Sequence, residues 1–178
     1  MRVISGRLGG RKLKGAVDKR STRPVTDSVK EAIFNILGNV SGDRVLDLFA
    51  GTGSFGIEAL SCGAKEVVFI DHDREAVKSI KENLFSLGLK ASVHKEPVKK
   101  SLQKLEGKFD LIFVDPPFSG DLARETLEDL GQLNFLSRQG IVIVRCHLKK
   151  SLPGEVGGLR LGRKEKYGEN VVYFYSEN

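Results

Sequence analysis

The stretch Asp47-Leu-Phe-Ala-Gly-Thr-Gly-Ser-Phe-Gly56 decides how this chain folds. It begins within a short apolar run, residues 44–49, and leads into residues 54–62, whose apolar side chains recur at helical spacing. A strand, a glycine-rich turn and a helix in this order start a βαβ unit, and the glycines match the G-x-G-x-x-G pattern of a nucleotide-binding turn. Ligands of such sheets bind beyond the carboxyl ends of the strands, so the sequence predicts a cofactor site here.

Strand-like and helix-like segments alternate along the rest of the chain. Further strands are predicted at 66–70, 91–94, 109–114 and 141–146, helices at 74–87 and 121–130, and a closing hairpin at 158–164 with 171–175. The interior strands lack alternating polar residues, as strands buried on both faces do. This rhythm predicts an α/β fold in which helices cover both faces of a parallel sheet.

The segment before the first strand is predicted to hold a hairpin and a helix. Short apolar stretches separated by glycines suggest a small hairpin within residues 2–14. Apolar residues at helical spacing follow later and end at Gly38. Any of residues 26–28 could cap this helix, and Ser28 with Glu31 has the spacing of a capping box.

Length and composition describe an ordinary globular chain. Its 178 residues, 40% apolar and 29% charged, suit one domain with a small appendage. We find neither an apolar run of the roughly 20 residues that span a bilayer nor a signal peptide, so we expect a cytoplasmic protein without membrane contact. Cys62 and Cys146 form no CxxC motif and are expected to be reduced, and the three histidines show no metal-ligand spacing.

The positive charge is concentrated at the N-terminus. Residues 1–24 carry eight basic side chains against Asp18 alone, a net charge of +7, so the rest of the chain sums to −1 of the overall +6. A basic N-terminal segment on a nearly neutral domain suggests contact with a polyanion. Charge alone is equally consistent with a solvated terminal segment that has no partner. If the partner is a nucleic acid, binding should weaken with salt.

Asp47 argues against a dinucleotide in the glycine-rich turn. A pyrophosphate needs backbone N–H donors and positive potential at the helix start, and a carboxylate there would repel it. The ammonium and sulfonium of S-adenosylmethionine would instead be attracted. Asp71, at the next strand end, can accept hydrogen bonds from ribose hydroxyls of either cofactor, while the neighbouring Asp73 is expected to cap the following helix.

A second strand end carries the tetrapeptide Asp115-Pro-Pro-Phe118. The exocyclic amine of a base is a poor nucleophile, so it must be held with its N–H bonds directed at acceptors. Asp115 offers a carboxylate, and the two prolines keep the backbone extended so that the Pro116 carbonyl can face the second N–H. Phe118 offers a flat face for stacking an unpaired or flipped base. Alone, the motif would more often be a turn with a core Phe, but its place after a cofactor turn favours a catalytic site.

Taken together, these motifs resemble the RsmD family, guanine-N2 methyltransferases of small-subunit ribosomal RNA. The resemblance rests on both motifs, on Arg23-Pro-Val-Thr-Asp-Ser-Val-Lys-Glu-Ala-Ile-Phe-Asn35, on the basic opening from Arg2, and on Lys166-Tyr-Gly-Glu169. It implies a Rossmann-like class I methyltransferase with a mostly parallel seven-stranded sheet. It further implies a basic N-terminal extension, residues 1–24, that contacts RNA, and an S-adenosylmethionine-dependent domain, residues 25–178, without a metal.

The resemblance also assigns residues. The cofactor site would comprise Asp47, Phe49, Gly51, Gly53, Asp71 and Glu96. Glu96 is followed by Pro97, which departs from the family's usual pattern. Asp115, Pro116 and Phe118 would be catalytic, and the RNA would meet Arg7, Arg11, Lys12, Arg23 and Pro117. The substrate would be 16S rRNA, free or within an assembling 30S subunit, and the enzyme a monomer.

Three other functions remain open on the sequence. The same chemistry could serve adenine N6 in DNA or RNA, or a protein amide, although those enzymes more often carry Asn or Ser before the prolines. An NAD-linked oxidoreductase is disfavoured by Asp47. A non-catalytic RNA-binding protein on a methyltransferase scaffold is the third alternative.

Overall fold

A mixed sheet with helices on both faces forms the protein, and a computed structural model describes residues 1–15, 26–118 and 120–177. The strands are β1 Arg44–Leu48, β2 Glu66–Asp71, β3 Ser92–Lys95, β4 Phe109–Val114, β5 Leu136–His147, β6 Glu155–Val156, β7 Leu159–Tyr167 and β8 Asn170–Glu177. The α-helices are α1 Asp27–Leu37, α2 Ser54–Ser61, α3 Arg74–Ser86, α4 Val98–Leu102 and α5 Leu122–Leu133, and a 3₁₀ helix spans Gly6–Leu8.

The strand order is β3-β2-β1-β4-β5-β8-β7-β6. The five strands from β3 to β5 in this order are parallel to one another. Strands β8, β7 and β6 follow, each antiparallel to the strand before it. The predicted α/β fold and the closing hairpin are therefore confirmed. Within the described residues the sheet has eight strands where seven were expected, because the two-residue β6 extends its edge beyond β7.

Two apolar clusters cover the two faces of the sheet. Side chains from α1, α2, α3 and the N-terminal hairpin pack on one face, and side chains from α4 and α5 pack on the other. Alternate residues of the strands supply the two clusters. In β4, Phe113 points into the first cluster and Ile112 into the second, as the two-residue period of a strand requires.

Helix α1 is capped by one of the three predicted candidates. Thr26 is the N-cap, and its hydroxyl accepts a hydrogen bond from the Val29 N–H, so the capping-box spacing of Ser28 with Glu31 is not used. Three hydroxyl or carboxyl side chains in a row compete for this role, and the backbone enters the helix after the first. The predicted cap of α3 is confirmed, since Asp73 accepts from the N–H groups of Glu75 and Ala76.

The N-terminal hairpin is fixed to the body by a buried ion pair. Arg2 and Lys12 form its β-bridge, in agreement with the predicted hairpin. The Glu58 carboxylate accepts hydrogen bonds from the backbone N–H groups of Ile4 and Ser5. Lys30 Nζ lies 2.8 Å from Glu58 Oε2 and donates to the Arg2 carbonyl, with both charged side chains 0% exposed. The expected boundary between extension and domain, residues 24–25, lies outside the described residues.

None of the helices in the described ranges is long and apolar enough to cross a membrane. Cys62 and Cys146 are free thiols, the first half-buried and the second buried, and burial raises the pKa of both.

Candidate active site

Four predicted acids follow or end neighbouring parallel strands at one edge of the sheet. In the order β3, β2, β1, β4 they are Glu96, Asp71, Asp47 and Asp115. Parallel strands place their carboxyl ends together, so residues up to 68 positions apart in the chain meet along this edge. We refer to it as the carboxyl edge.

Asp47 lies at the end of β1 and is almost fully buried, with 1% exposure. Its Oδ2 accepts a hydrogen bond of 2.9 Å from the Gly56 N–H at the start of α2. Its Oδ1 is buried and has no hydrogen-bond partner among the described residues. Burial raises the pKa of Asp47 well above its ordinary value of 3.8, the charges of Asp115 and Asp71 act in the same direction, and the Gly56 hydrogen bond opposes them.

The glycine-rich turn adopts a backbone shape that other residues disfavour. Gly51 and Gly53 have φ values of +57° and +77°, in the left-handed region. A Cβ on Gly53 would lie 3.2 Å from the Phe69 ring and 3.3 Å from Ile80, whereas one on Gly51 would meet its nearest atom at 3.9 Å. Phe49 also has a positive φ, +59°, which is uncommon for an aromatic residue. The space at Gly51 leaves the backbone open to a ligand.

Asp71 links the turn to the second strand. Its Oδ2 accepts a 2.8 Å hydrogen bond from the Gly51 N–H, and its Oδ1 accepts one of 2.9 Å from the Asp73 N–H. Each carboxylate oxygen has a further lone pair, so ribose hydroxyls can still donate to it.

Glu96 adjoins Asp71 through a backbone hydrogen bond from its N–H to the Asp71 carbonyl. The Glu96 carboxylate, however, holds the Lys104 ammonium at 2.8 and 2.9 Å. This hydrogen bond lowers the pKa of Glu96. A ligand at Glu96 would therefore share the carboxylate with Lys104, and the assignment of Glu96 to the cofactor site stays a prediction.

The donor set at Asp47 fits a cationic cofactor. A buried carboxylate oxygen without a partner is costly, and an ammonium group arriving there would supply both a hydrogen bond and a counter-charge. Because Asp47 directly precedes the glycine-rich turn and is hydrogen-bonded to its far end at Gly56, the residues present fit S-adenosylmethionine better than a pyrophosphate.

Asp115 has a partner that the sequence argument missed. Arg145, one residue before Cys146 in β5, donates from Nε to Asp115 Oδ1 at 2.6 Å and from Nη2 to Oδ2 at 2.9 Å. Such a two-bond pair fixes the plane of the carboxylate. Burial raises the pKa of Asp115, and the charge and hydrogen bonds of Arg145 oppose that rise. Arg145 Nη1 also donates to Asn170 Oδ1, which anchors the guanidinium to β8.

The remainder of the Asp-Pro-Pro-Phe turn surrounds this pair. Pro116 is buried, and Pro117 and Phe118 are half-buried. The Arg145 guanidinium carbon lies 5.1 Å from the Phe118 ring centroid, and the His147 ring meets Phe118 edge-on at 5.7 Å. Buried apolar side chains pack around the pair and leave no room for a ligand between them: Ile33, Phe55, Phe113, Val114 and Ile143. A flat amine would therefore meet the oriented carboxylate from its solvent side, next to the half-buried Phe118 ring.

The predicted RNA contacts lie at different distances from the carboxyl edge. One end of the hairpin adjoins the glycine-rich turn, because Met1 Sδ accepts a hydrogen bond of 3.6 Å from Thr52 Oγ1 and the Met1 carbonyl accepts one from the Leu13 N–H, next to Lys12. Arg7, Arg11 and Lys12 are exposed on the N-terminal hairpin. The hairpin tip contacts the C-terminal end of α2, where the Leu8 N–H donates to Ser61 Oγ, while the glycine-rich turn precedes the opposite end of that helix. Arg23 lies outside the described residues. These four assignments stay predictions.

Sequence reasoning missed Arg145, His147 and the Lys30–Glu58 pair. Arg145 had one detectable signal, a lone charge within an otherwise apolar strand. Within the described ranges, no group of three or more His, Cys, Asp or Glu side chains is arranged to hold a metal ion.

Comparison with solved structures defines the class. Escherichia coli YhhF, provisionally named a methyltransferase, matches with a TM-score of 0.86 and 30% identity over 100% of this chain and 98% of that one. The Thermus thermophilus RsmC structure, described as a 16S rRNA N2 G1207 methyltransferase in complex with AdoMet and guanosine, matches with a TM-score of 0.72 and 27% identity over 91% of this chain and 45% of that one. The protein has a Rossmann-like class I methyltransferase fold.

The family follows from sequence. A family model described as "Conserved hypothetical protein 95" matches residues 1–176. Bacillus subtilis YlbH, provisionally named an rRNA methyltransferase, is 42% identical over 99% of both chains. The ribosomal RNA small subunit methyltransferase D of Escherichia coli is 33% identical over 98% of this chain and 89% of its own length. The chain belongs to the RsmD family, as its motifs predicted.

Proposed function

We propose that this protein transfers a methyl group from S-adenosylmethionine to the exocyclic N2 amine of a guanine in small-subunit (16S) ribosomal RNA. The observation that carries the proposal is the Asp115 carboxylate, fixed by Arg145 beside the half-buried Phe118 ring and one strand away from the Asp47 oxygen that has no partner among the described residues. The names of the family's curated members supply the class of RNA. Such an enzyme would act in the cytoplasm, on free RNA or on an assembling subunit.

Asp47, Asp71 and the backbone around Gly51 would hold the cofactor, with Phe49 and Gly53 shaping the turn and Glu96 at its far side. When bound, S-adenosylmethionine supplies an electrophilic methyl group on a sulfonium sulfur. Asp47, itself almost fully buried, would supply the negative charge that this cation needs. Burial of Asp47 strengthens the attraction, because a charge in a low-dielectric site is poorly screened.

Asp115 would orient the guanine amine. Its oxygens already accept from Arg145 but retain lone pairs directed away from the guanidinium, so one can accept an N2–H bond. The Pro116 carbonyl is the candidate acceptor for the second N–H, and the half-exposed Phe118 ring, bordered by Pro117, is the stacking surface. Correct alignment of reacting groups can be worth an effective molarity of about 10⁵ M or more. Because both Asp115 oxygens are engaged by a cation, we assign it orientation and assign the departing proton to water.

Methyl transfer with a labelled cofactor tests the proposal. Purified protein would be incubated with 16S rRNA, with 30S subunits, with duplex DNA and with ribosomal protein, and the products would be digested and identified by mass spectrometry. We expect N2-methylguanosine from the RNA-containing substrates. N6-methyladenosine or a labelled protein amide would contradict the proposal in favour of the corresponding amino-methyltransferase. Absence of transfer despite RNA binding would favour a non-catalytic RNA-binding protein.

A further inference from the structure

Helix α3 carries an exposed surface that the active site does not use. Arg74, Lys78, Lys81 and Phe85 follow the spacing i, i+4, i+7, i+11. At 3.6 residues per turn these four positions fall within an arc of about 60°. All four are exposed, and Phe85 is 89% exposed, the highest value among the large exposed apolar side chains of the described residues. We call these four residues the α3 stripe.

The α3 stripe is not part of the protein core. The opposite side of the helix, including Ile80 and Leu84, packs in the first apolar cluster. Within the described part of the chain, the three basic side chains of the stripe form no ion pair. A single exposed Phe is ordinary on a protein surface. An exposed Phe in line with three unpaired cations has the composition of a surface that binds single-stranded nucleic acid.

The N-terminal hairpin packs against α3 on the side away from the stripe. The Lys14 backbone is bound to the Asn83 side chain, which accepts from the Lys14 N–H and donates to the Lys14 carbonyl. The Lys14 ammonium lies 3.2 Å from Glu82, so it offsets the acidic residue nearest to Phe85 on the helix. Glu75 is the other acid on this helix, about 100° around from Arg74. Asn83 lies about 180° around the helix from Arg74, so the hairpin that bears Arg11 and Lys12 ends on the buried side of α3, and only the Lys14 ammonium reaches the flank of the stripe.

The position of the stripe also relates it to the active site. Arg74 is the first residue of α3 and follows Asp71 by three positions, so it lies at the carboxyl edge. Phe85 lies about 16 Å further along the helix axis. At roughly 3.4 Å per nucleotide along a stacked strand, this length accommodates several nucleotides that flank a base held at Asp115.

We propose that the α3 stripe binds a single-stranded segment of the RNA substrate, with phosphates on Arg74, Lys78 and Lys81 and an unpaired base stacked on Phe85. This inference rests on the proposed function for its substrate class. It adds a second contact region, which would hold the RNA while the target base is held at Asp115.

RNA affinity measured across a salt series tests the proposal, with the intact protein and a 16S rRNA fragment that the wild type methylates. Phe85→Ala is expected to lower the affinity about 5- to 100-fold without changing the salt dependence. Lys78→Gln with Lys81→Gln is expected to lower the affinity and to reduce the slope of log K against log salt by about 1.4, because two phosphate contacts are lost. Cofactor affinity should stay unchanged, and KM for RNA should rise while kcat is retained.

Matched controls lie elsewhere on the surface. Leu133→Ala removes an exposed apolar side chain from α5, on the other face of the sheet. Lys65→Gln with Arg138→Gln removes two exposed charges outside α3, one just before β2 and one within β5. If the stripe variants bind RNA no more weakly than these controls, the proposal is overturned. The same holds if only activity on assembled subunits falls, which would indicate a ribosomal protein as the partner. RNA affinity is measured independently of methyl transfer. Failure to form N2-methylguanosine would therefore contradict the proposed function without contradicting the proposal that the α3 stripe binds RNA.

Discussion

Asp47 and Asp115 lie at the carboxyl ends of neighbouring parallel strands, and their surroundings differ in one decisive respect. Among the described residues, Asp47 keeps one carboxylate oxygen buried without a partner, whereas both oxygens of Asp115 are bound by the Arg145 guanidinium. Burial raises the pKa of both groups, and Arg145 opposes that rise at Asp115, while the charges that act on Asp47, those of Asp115 and Asp71, add to it. The unpartnered carboxylate is suited to receive a cationic ligand, and the paired one to act as a fixed acceptor for a neutral amine.

The largest effect is expected from Asp115→Ala. Loss of a preoriented acceptor at a reacting group typically lowers the rate about 10²- to 10³-fold, and cofactor affinity should change by no more than a few-fold because Asp47 is untouched. The rate is measured by single-turnover methyl transfer to RNA, and the cofactor affinity is measured by titration calorimetry. Transfer that survives within a few-fold would remove Asp115 from the active site.

Asp47→Asn should act on binding instead. Hydrogen bonds to charged groups contribute about 1.5–3 kcal/mol, so the affinity for S-adenosylmethionine should fall about 10- to 100-fold. Since burial raises the pKa of Asp47, wild-type affinity should increase as pH rises and the carboxylate ionises. The variant should lack this component, which titration calorimetry between acidic and neutral pH can detect.

The same variant has an opposite effect on stability. A raised folded-state pKa means that Asp47 contributes stability below its unfolded pKa and loses it as pH rises through the folded value. At neutral pH the cofactor-free Asp47→Asn protein should therefore unfold at a temperature equal to or above that of the wild type. A clear loss of stability at neutral pH would show that the carboxylate is needed for folding rather than for the ligand.

Arg145→Gln tests the pairing itself. Because Arg145 lowers the pKa of Asp115, its removal should raise that pKa further, and activity should be lost at a higher pH as the solution is acidified. We expect a decrease in kcat of about tenfold, the size of a single lost hydrogen bond of about 1.4 kcal/mol, with cofactor affinity retained. If the acidic limb of the pH–rate profile does not shift, the positioning role of Arg145 is contradicted. Circular dichroism would exclude unfolding as the cause of a lower kcat.

The smallest effects concern the glycine-rich turn beside Asp47. Gly51→Ala and Gly53→Ala both place a Cβ in the left-handed region, which costs about 1–2 kcal/mol. Only Gly53→Ala also crowds the Phe69 ring and Ile80, so it should lower the unfolding temperature further. Thermal unfolding compares the two directly, and equal losses would show that packing at Gly53 is unimportant.

Local pattern predicted the elements and the acids of the carboxyl edge, because each acid follows an apolar strand in the sequence. Arg145 was not predicted as a partner of Asp115, because that contact depends on the pairing of β4 with β5 across 30 residues. The Lys30–Glu58 pair is likewise a contact between two helices and the N-terminal hairpin. The cap of α1 was predicted only to within residues 26–28, since three adjacent side chains could each cap the helix and spacing alone does not single out Thr26.

The most direct test measures both properties in both isosteric variants, Asp47→Asn and Asp115→Asn. Cofactor affinity at equilibrium and the single-turnover transfer rate at saturating cofactor would be determined for each. We expect opposite effects of the two variants. Asp47→Asn should weaken cofactor binding but retain most of the transfer rate, and Asp115→Asn should retain cofactor binding but lose methyl transfer. If both variants lose both properties equally, or if Asp115→Asn weakens cofactor binding as much as Asp47→Asn does, the proposed division between the two carboxylates is contradicted.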